Sequence, residues 1–389
     1  MKKWFLHILL LAGLFGVLTT SCSQEEGLEL QVSTEKVPVT FTIAMGTSSS
    51  RSRTGEDEKW DDYEDSEVGN EFENMIDPTQ LYVELILTFI ENGVTKESTI
   101  TVNPISCWKL NQTNQANQVD LYQFVGEVNV NIKESTTFQK AKVMVYANNG
   151  GKNETFATDY DDNTGMLVGY IPMWGVKTLE NFNLTPGSQS DFGSISLLRA
   201  MAKIEVTWES TSNFAKNGYS ISSVGLNKYN TQGNMKPSFS DPEPENTTDY
   251  QINAINSLVS PSDASGLLFC QASTNSYVIY IPEYDNVNNN EGITEQDSND
   301  VLISLDVKDS DNNSVLLDPA NEKRSPTIRM KNLDLVRNHW YKYNIEDIVI
   351  DTDVTFTLQY QVMEWTPINN GSLTFGGESG AIHNPNQSN

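Results

Sequence analysis

The chain has 389 residues, 38% hydrophobic and 10% aromatic, which is enough apolar material for packed cores and too much chain for one small domain. Asp and Glu outnumber Lys and Arg by 52 to 25, a formal charge of −27. A surface this acidic repels phosphate backbones and anionic lipid, which excludes nucleic-acid binding.

Residues 1–22 read as a leader. Lys2 and Lys3 form a short basic start, and the apolar run from Trp4 to Val17 is short for a membrane span but right for a signal-peptide core. The run ends at Leu18-Thr19-Thr20-Ser21-Cys22, which resembles a bacterial lipobox with its aliphatic residue one position early. Diacylation of Cys22 would anchor the mature chain to the outer membrane. Ser23-Gln24-Glu25-Glu26 is similar to the acidic export signal of surface lipoproteins in Bacteroidota. Cys107 and Cys270 are far apart and read as free or buried rather than as one long-range disulfide.

The first strand pattern is Val37 to Met45. Val37, Val39, Phe41, Ile43 and Met45 alternate with Pro38, Thr40, Thr42 and Ala44, the period of a half-buried strand. A Gly-Thr-Ser-Ser-Ser linker with Arg51 and Arg53 follows, then an acidic block over residues 56–73 that reads as solvated. Taken alone, this stretch is an ordinary first strand with a polar loop.

A dense strand series comes next. Leu81 to Ile90 is nearly continuous apolar and ends at an Asn92-Gly93 turn. Phe124 to Ile132 places Val128, Val130 and Ile132 on one face, Lys140 to Ala147 is another strand, and Ile171-Pro172-Met173-Trp174-Gly175 reads as an apolar kink. Further strands fall at Ala202 to Trp208, Ile221 to Leu226, Tyr277 to Ile281, Val301 to Val307 and Trp340 to Ile350. The last strong one is Val354 to Trp365, with Val354, Phe356, Leu358, Tyr360 and Val362 on one face. A short strand over Ser372 to Phe375 is the one feature of the polar tail. No middle segment carries helical periodicity. The expectation is an all-β chain of two tandem antiparallel β-sandwich domains with a boundary at Ser194 to Arg199.

Residues that carry chemistry are scarce. The three histidines, His7, His339 and His383, are too few and too dispersed for a His-rich metal site or a Ser-His-Asp triad. Asp159 to Gly165 begins like a calcium loop, but its glycine is one place late and position twelve is Tyr170, so a polar turn is expected. Carboxylate pairs are too abundant to mark a glycosidase dyad. Trp108, Trp174, Trp208, Trp340 and Trp365 sit mostly in strand patterns and read as core rather than as a sugar-stacking platform. No metal or cofactor is expected.

Five segments in order resemble the fimbrillins, subunits of the donor-strand (type V) pili of Bacteroidales. They are Ile171-Pro172-Met173-Trp174-Gly175, Leu197-Leu198-Arg199-Ala200-Met201-Ala202-Lys203-Ile204-Glu205-Val206, Tyr280-Ile281-Pro282-Glu283, Val336-Arg337-Asn338-His339-Trp340-Tyr341-Lys342-Tyr343 and Val362-Met363-Glu364-Trp365. The resemblance implies transthyretin-like sandwiches over 54–196 and 197–389, behind a signal peptide (1–22) and a propeptide (23–53) that carries a removable first strand. It further implies export as a lipoprotein through Cys22 and cleavage after Arg51 or Arg53 by a trypsin-like, Arg-specific surface protease. The strand of Val37, Val39, Phe41, Ile43 and Met45 would then leave. Its groove would be filled by a neighbouring subunit's donor strand within 354–375, presenting Val354, Phe356, Leu358, Tyr360 and Val362. The implied partners are other fimbrial subunits, that protease and an adhesion receptor on a host or bacterial cell, and the final location is the fimbrium. The Arg-Ala pair that polymerising members often carry at the cut is absent here. The alternative is a monomeric surface lipoprotein that binds glycan or a host protein through its loops, and the third reading is an enzyme.

Overall fold

The computed structural model describes residues 34–45, 71–110, 121–131, 136–182, 184–239, 250–261, 266–286, 300–316, 325–330, 333–350 and 354–364. Cys22, Arg51, Arg53, Trp365 and the short strand expected at Ser372 to Phe375 lie outside them.

The described residues are overwhelmingly strand. In the first half these are β1 (Thr34–Met45), β2 (Tyr82–Glu91), β3 (Val94–Lys109), β4 (Tyr122–Asn131), β5 (Thr136–Ala147), β6 (Thr155–Ala157), β7 (Met173–Glu180) and β8 (Ser190–Arg199). There follow β9 (Met201–Thr207), β10 (Ser220–Leu226), β11 (Tyr229–Asn230), β12 (Gln232–Asn234), β13 (Ser238–Phe239), β14 (Tyr250–Gln251), β15 (Leu258–Val259) and β16 (Leu267–Leu268). The last six are β17 (Cys270–Ser273), β18 (Ser276–Pro282), β19 (Val301–Lys308), β20 (Thr327–Met330), β21 (His339–Ile350) and β22 (Val354–Glu364). Helix among the described residues is limited to single turns such as Asn213–Lys216, capped by the Ser212 hydroxyl.

The first seven long strands close on themselves in the order β1-β4-β3-β2-β5-β7-β8. Around them lies one core that includes Leu85, Phe124, Val143, Trp174 and Ile195, all at 0% exposure. The second half has a five-stranded sheet, β17-β18-β9-β21-β22, and a four-stranded sheet, β16-β10-β19-β20. Ile204, Ile279 and Tyr341 of the first and Val224, Ile303 and Ile328 of the second share one core. The other face of the five-stranded sheet, through Val278, Tyr280 and Trp340, packs on the first core. A sheet covered on both faces needs apolar residues at consecutive positions, and every residue of β18 is accordingly buried.

The all-β expectation holds, with corrections. The β1–β8 and β9–β21 pairs run parallel. The N-terminal strands form a closed barrel where two open antiparallel sheets were expected. Alternation in sequence reports one buried face; it carries no information on closure or on strand direction. Hydrogen-bond partners change from one sheet to the other at Ala200, between β8 and β9, so the expected boundary at Ser194 to Arg199 falls inside a strand. The apolar kink expected at Ile171 to Gly175 is the entry to β7, where Pro172 precedes the first paired residue.

The acidic block also departs from expectation at its end. Glu71–Asn74 forms a 3₁₀ turn that buries Glu73 and Asn74 between the two halves. Lys203 Nζ is 2.9 Å from the Glu73 carboxylate, and the Tyr280 hydroxyl donates to it at 2.7 Å. The Arg199 guanidinium donates to the Glu73 carbonyl at 2.9 Å, to Asn338 Oδ1 at 3.1 Å and to Asn74 Oδ1. Burial lowers the Arg199 pKa to about 10, still well above neutrality. Lys203 also lies 3.5 Å over the Trp340 ring. A buried carboxylate with cationic and hydroxyl partners persists because its charge is compensated on several sides.

Candidate functional site: the first strand and its groove

Strand β1 is the central feature of the barrel. It pairs antiparallel with β4 from Thr34↔Asn131 to Ile43↔Tyr122, and parallel with β8 from Val39↔Ser190 to Met45↔Leu197. Val37, Val39, Phe41 and Ile43 are each 0% exposed, the inward set that alternation predicts. The Met45 side chain lies outside the described residues.

The groove is shaped to this strand. The Phe41 ring stacks on Phe124 with centroids 4.5 Å apart and on Phe192 at 6.3 Å, and Phe182 meets Phe192 edge-on at 5.3 Å. Val39 lies opposite Gly126, where an added Cβ would come within 2.7–2.9 Å of Val102, Phe124 and the Asn103 carbonyl. Only glycine fits there. Outside the groove, Gln123 Nε2 donates to the Phe41 carbonyl at 3.1 Å and Gln123 Oε1 accepts from the Thr42 hydroxyl at 3.4 Å. Gln189 Nε2 donates to Thr40 Oγ1 at 3.1 Å, and exposed Lys36 pairs with Glu127 at 2.6 Å. Burying four apolar side chains at about 1.5–3 kcal/mol each makes this strand a large share of the barrel's stability.

Strand β22 stands at the opposite extreme. Among the described residues it is the edge of the five-stranded sheet and pairs only with β21, antiparallel, from Ile350↔Val354 to His339↔Glu364. Phe356, Leu358 and Val362 are half-buried against the second core; the Val354 and Tyr360 side chains lie outside the described residues. The residues expected to leave and those expected to enter are therefore in different sheets, one central and one marginal.

Other candidates resolve simply. Asp161 accepts the Asn163 and Thr164 N–H groups and the Thr164 hydroxyl, which closes the expected polar turn and lowers its pKa. Trp174, Trp208 and Trp340 are buried, while Trp108 on β3 is 46% exposed. Cys107 and Cys270 are free thiols, and burial pushes Cys107 up to about 11. Among the described residues no group of three or more His, Cys, Asp or Glu is placed to hold a metal ion. The groove-lining Phe124 and Phe192, and Gln123 and Gln189 that bond β1 from outside the groove, were not singled out from sequence. Phe124 opened a recognised strand, but nothing local marks which strand its ring will face.

No protein-family model and no curated protein matches the chain. Among solved structures, it is similar to the tip fimbrial protein Mfa3 from Porphyromonas gingivalis at 13% identity and a TM-score of 0.39, covering 85% of this chain and 100% of that one. It is similar to a fimbrial assembly protein from Parabacteroides distasonis at 13% identity and a TM-score of 0.41, with the same coverage. The fimbrial anchor protein Mfa2 from Porphyromonas gingivalis is similar at 8% identity and a TM-score of 0.26, over 85% of this chain and 99% of that one.

Proposed function

We propose that this protein is a structural subunit of a cell-surface fimbrium, assembled by removing β1 and filling its groove with a neighbour's C-terminal strand. The observation that carries the reading is the position of β1, a strand paired on both sides whose inward residues Val37, Val39, Phe41 and Ile43 are fully buried, at the very start of the described chain. It is followed in sequence by a Gly/Ser linker with Arg51 and Arg53. Loss of β1 would leave β4 and β8 with unpaired backbone on either side of an apolar slot, a strong template for strand addition. The five fimbrillin-like segments support the same reading. The precursor is a lipoprotein held to the outer membrane through Cys22. A trypsin-like protease cuts after Arg51 or Arg53, and the released subunit joins the fimbrium, where it contributes to adhesion. Its role is structural, with no catalytic step of its own.

Treating the purified precursor with a trypsin-like protease tests this. The expected result is a cut near Arg51 or Arg53 followed by ladders of SDS-resistant oligomers. A cut chain that stays monomeric would overturn it. The alternative, a monomeric lipoprotein that binds glycan through its surface, draws on exposed Trp108 and Ile105 of β3. A glycan-array signal lost in W108A, with no ladder after cutting, would favour it.

A further inference from the structure

The strand that is removed and the strand that replaces it share a sequence. Val39-Thr40-Phe41-Thr42-Ile43 of β1 and Val354-Thr355-Phe356-Thr357-Leu358 of β22 agree at four of five positions, and Leu for Ile is the only difference. We infer that β22 of a second copy of this chain is a register-specific mimic of β1, seated so that Phe356 takes the place of Phe41. This inference rests on the strand-exchange reading and adds to it the occupant and its alignment.

The groove explains why the shared residues are these. In this register Val354 falls opposite Gly126, Phe356 opposite Phe124 and Leu358 opposite Tyr122, as Val39, Phe41 and Ile43 do in β1. Only an aromatic ring at the central position restores the stack on Phe124 and Phe192. The outward positions are reproduced as well. Thr357 meets Gln123, which now accepts from Thr42, and Thr355 meets Gln189, which now donates to Thr40. A slip of one residue turns the apolar face outward. A slip of two puts Val354 or Leu358 in the aromatic seat. Beyond the five residues the likeness stops, with Thr352 at the Val37 position and Tyr360 at the Met45 position. Recognition is concentrated in the pentapeptide.

The exchange runs downhill for the same strand. At home β22 has one neighbour and its Phe356, Leu358 and Val362 are half-buried. In the groove it gains two neighbours and seats that are 0% exposed when β1 fills them. One ladder is given up and two are formed, and more apolar area leaves water.

Cross-linking two single-cysteine chains tests the register. In a background of C22A, C107A and C270A, one chain carries T357C and the other Q123C; both positions lie outside the core. The two are mixed, cut and oxidised, so that only a contact between copies gives a covalent dimer. The expected result is a dimer for T357C with Q123C, with yields at least about tenfold lower for T355C or Q359C, whose Cα atoms stand too far along the strand. A better yield at 355 or 359, or no cross-link at any position while ladders still form, would overturn the register and leave strand exchange standing. Failure of every variant to form ladders would overturn strand exchange itself. A peptide of residues 352–364 should stop ladder growth in the unsubstituted chain, and its F356A version should need about tenfold more. Equal potency of the two peptides would also overturn the inference.

Discussion

Phe41 concentrates the groove's specificity in one side chain. Phe41→Ala removes a ring stacked on two others and leaves a cavity in a packed barrel, so the precursor should lose about 3–5 kcal/mol in urea unfolding. R51A/R53A should leave β1 in place after protease treatment, seen as an uncut chain by mass spectrometry and as a single monomer band. Cys107 supplies a third test. Its thiol, raised from 9.0 to about 11, holds about a hundredfold less thiolate near pH 8 than an unburied cysteine and should alkylate correspondingly slowly. Much of the residue-level picture was legible in the sequence. Alternation alone picked out Val37, Val39, Phe41 and Ile43 as buried. Glu73 was not legible, because a glutamate inside a run of acidic residues gives no sign that Lys203 and Tyr280 will enclose it.

Among elements, the most informative contrast is between strands that were found and β3, the longest of those that were missed. β2 and β5 were visible as apolar runs, and the Asn92-Gly93 turn, with φ of 52° and 76°, joins β2 to β3 as its sequence predicts. β3 itself left no signal, because most of its side chains are exposed and its sequence is polar; backbone pairing with β2 and β4 forms it. Strand direction and barrel closure were invisible for the same reason, since they live in hydrogen bonds between distant segments. The turn at Glu71–Asn74 then acquires a role. It begins at the first described residue after β1 and is tied to both halves by Glu73, Asn74 and Arg199. Glu73→Gln leaves Lys203 buried without its carboxylate and should cost about 3–5 kcal/mol, measured by urea unfolding of the precursor. Deleting 354–389 should give a chain that is cut normally and remains monomeric, because its groove has no donor to receive.

In the whole molecule, the barrel and the five-stranded sheet are connected without a linker. β8 flanks the β1 groove and continues through Ala200 directly into β9. β9 pairs in parallel with β21, and β21 pairs with β22. A fibre built by strand exchange would therefore transmit tension from the groove to the donor strand along paired strands. Pulling force applied along strand axes loads many ladder hydrogen bonds at once, in shear, instead of opening them one by one. In such a fibre the subunit would act as a tether, with no break among the described strands between the β1 groove and β22 at which it would first give way.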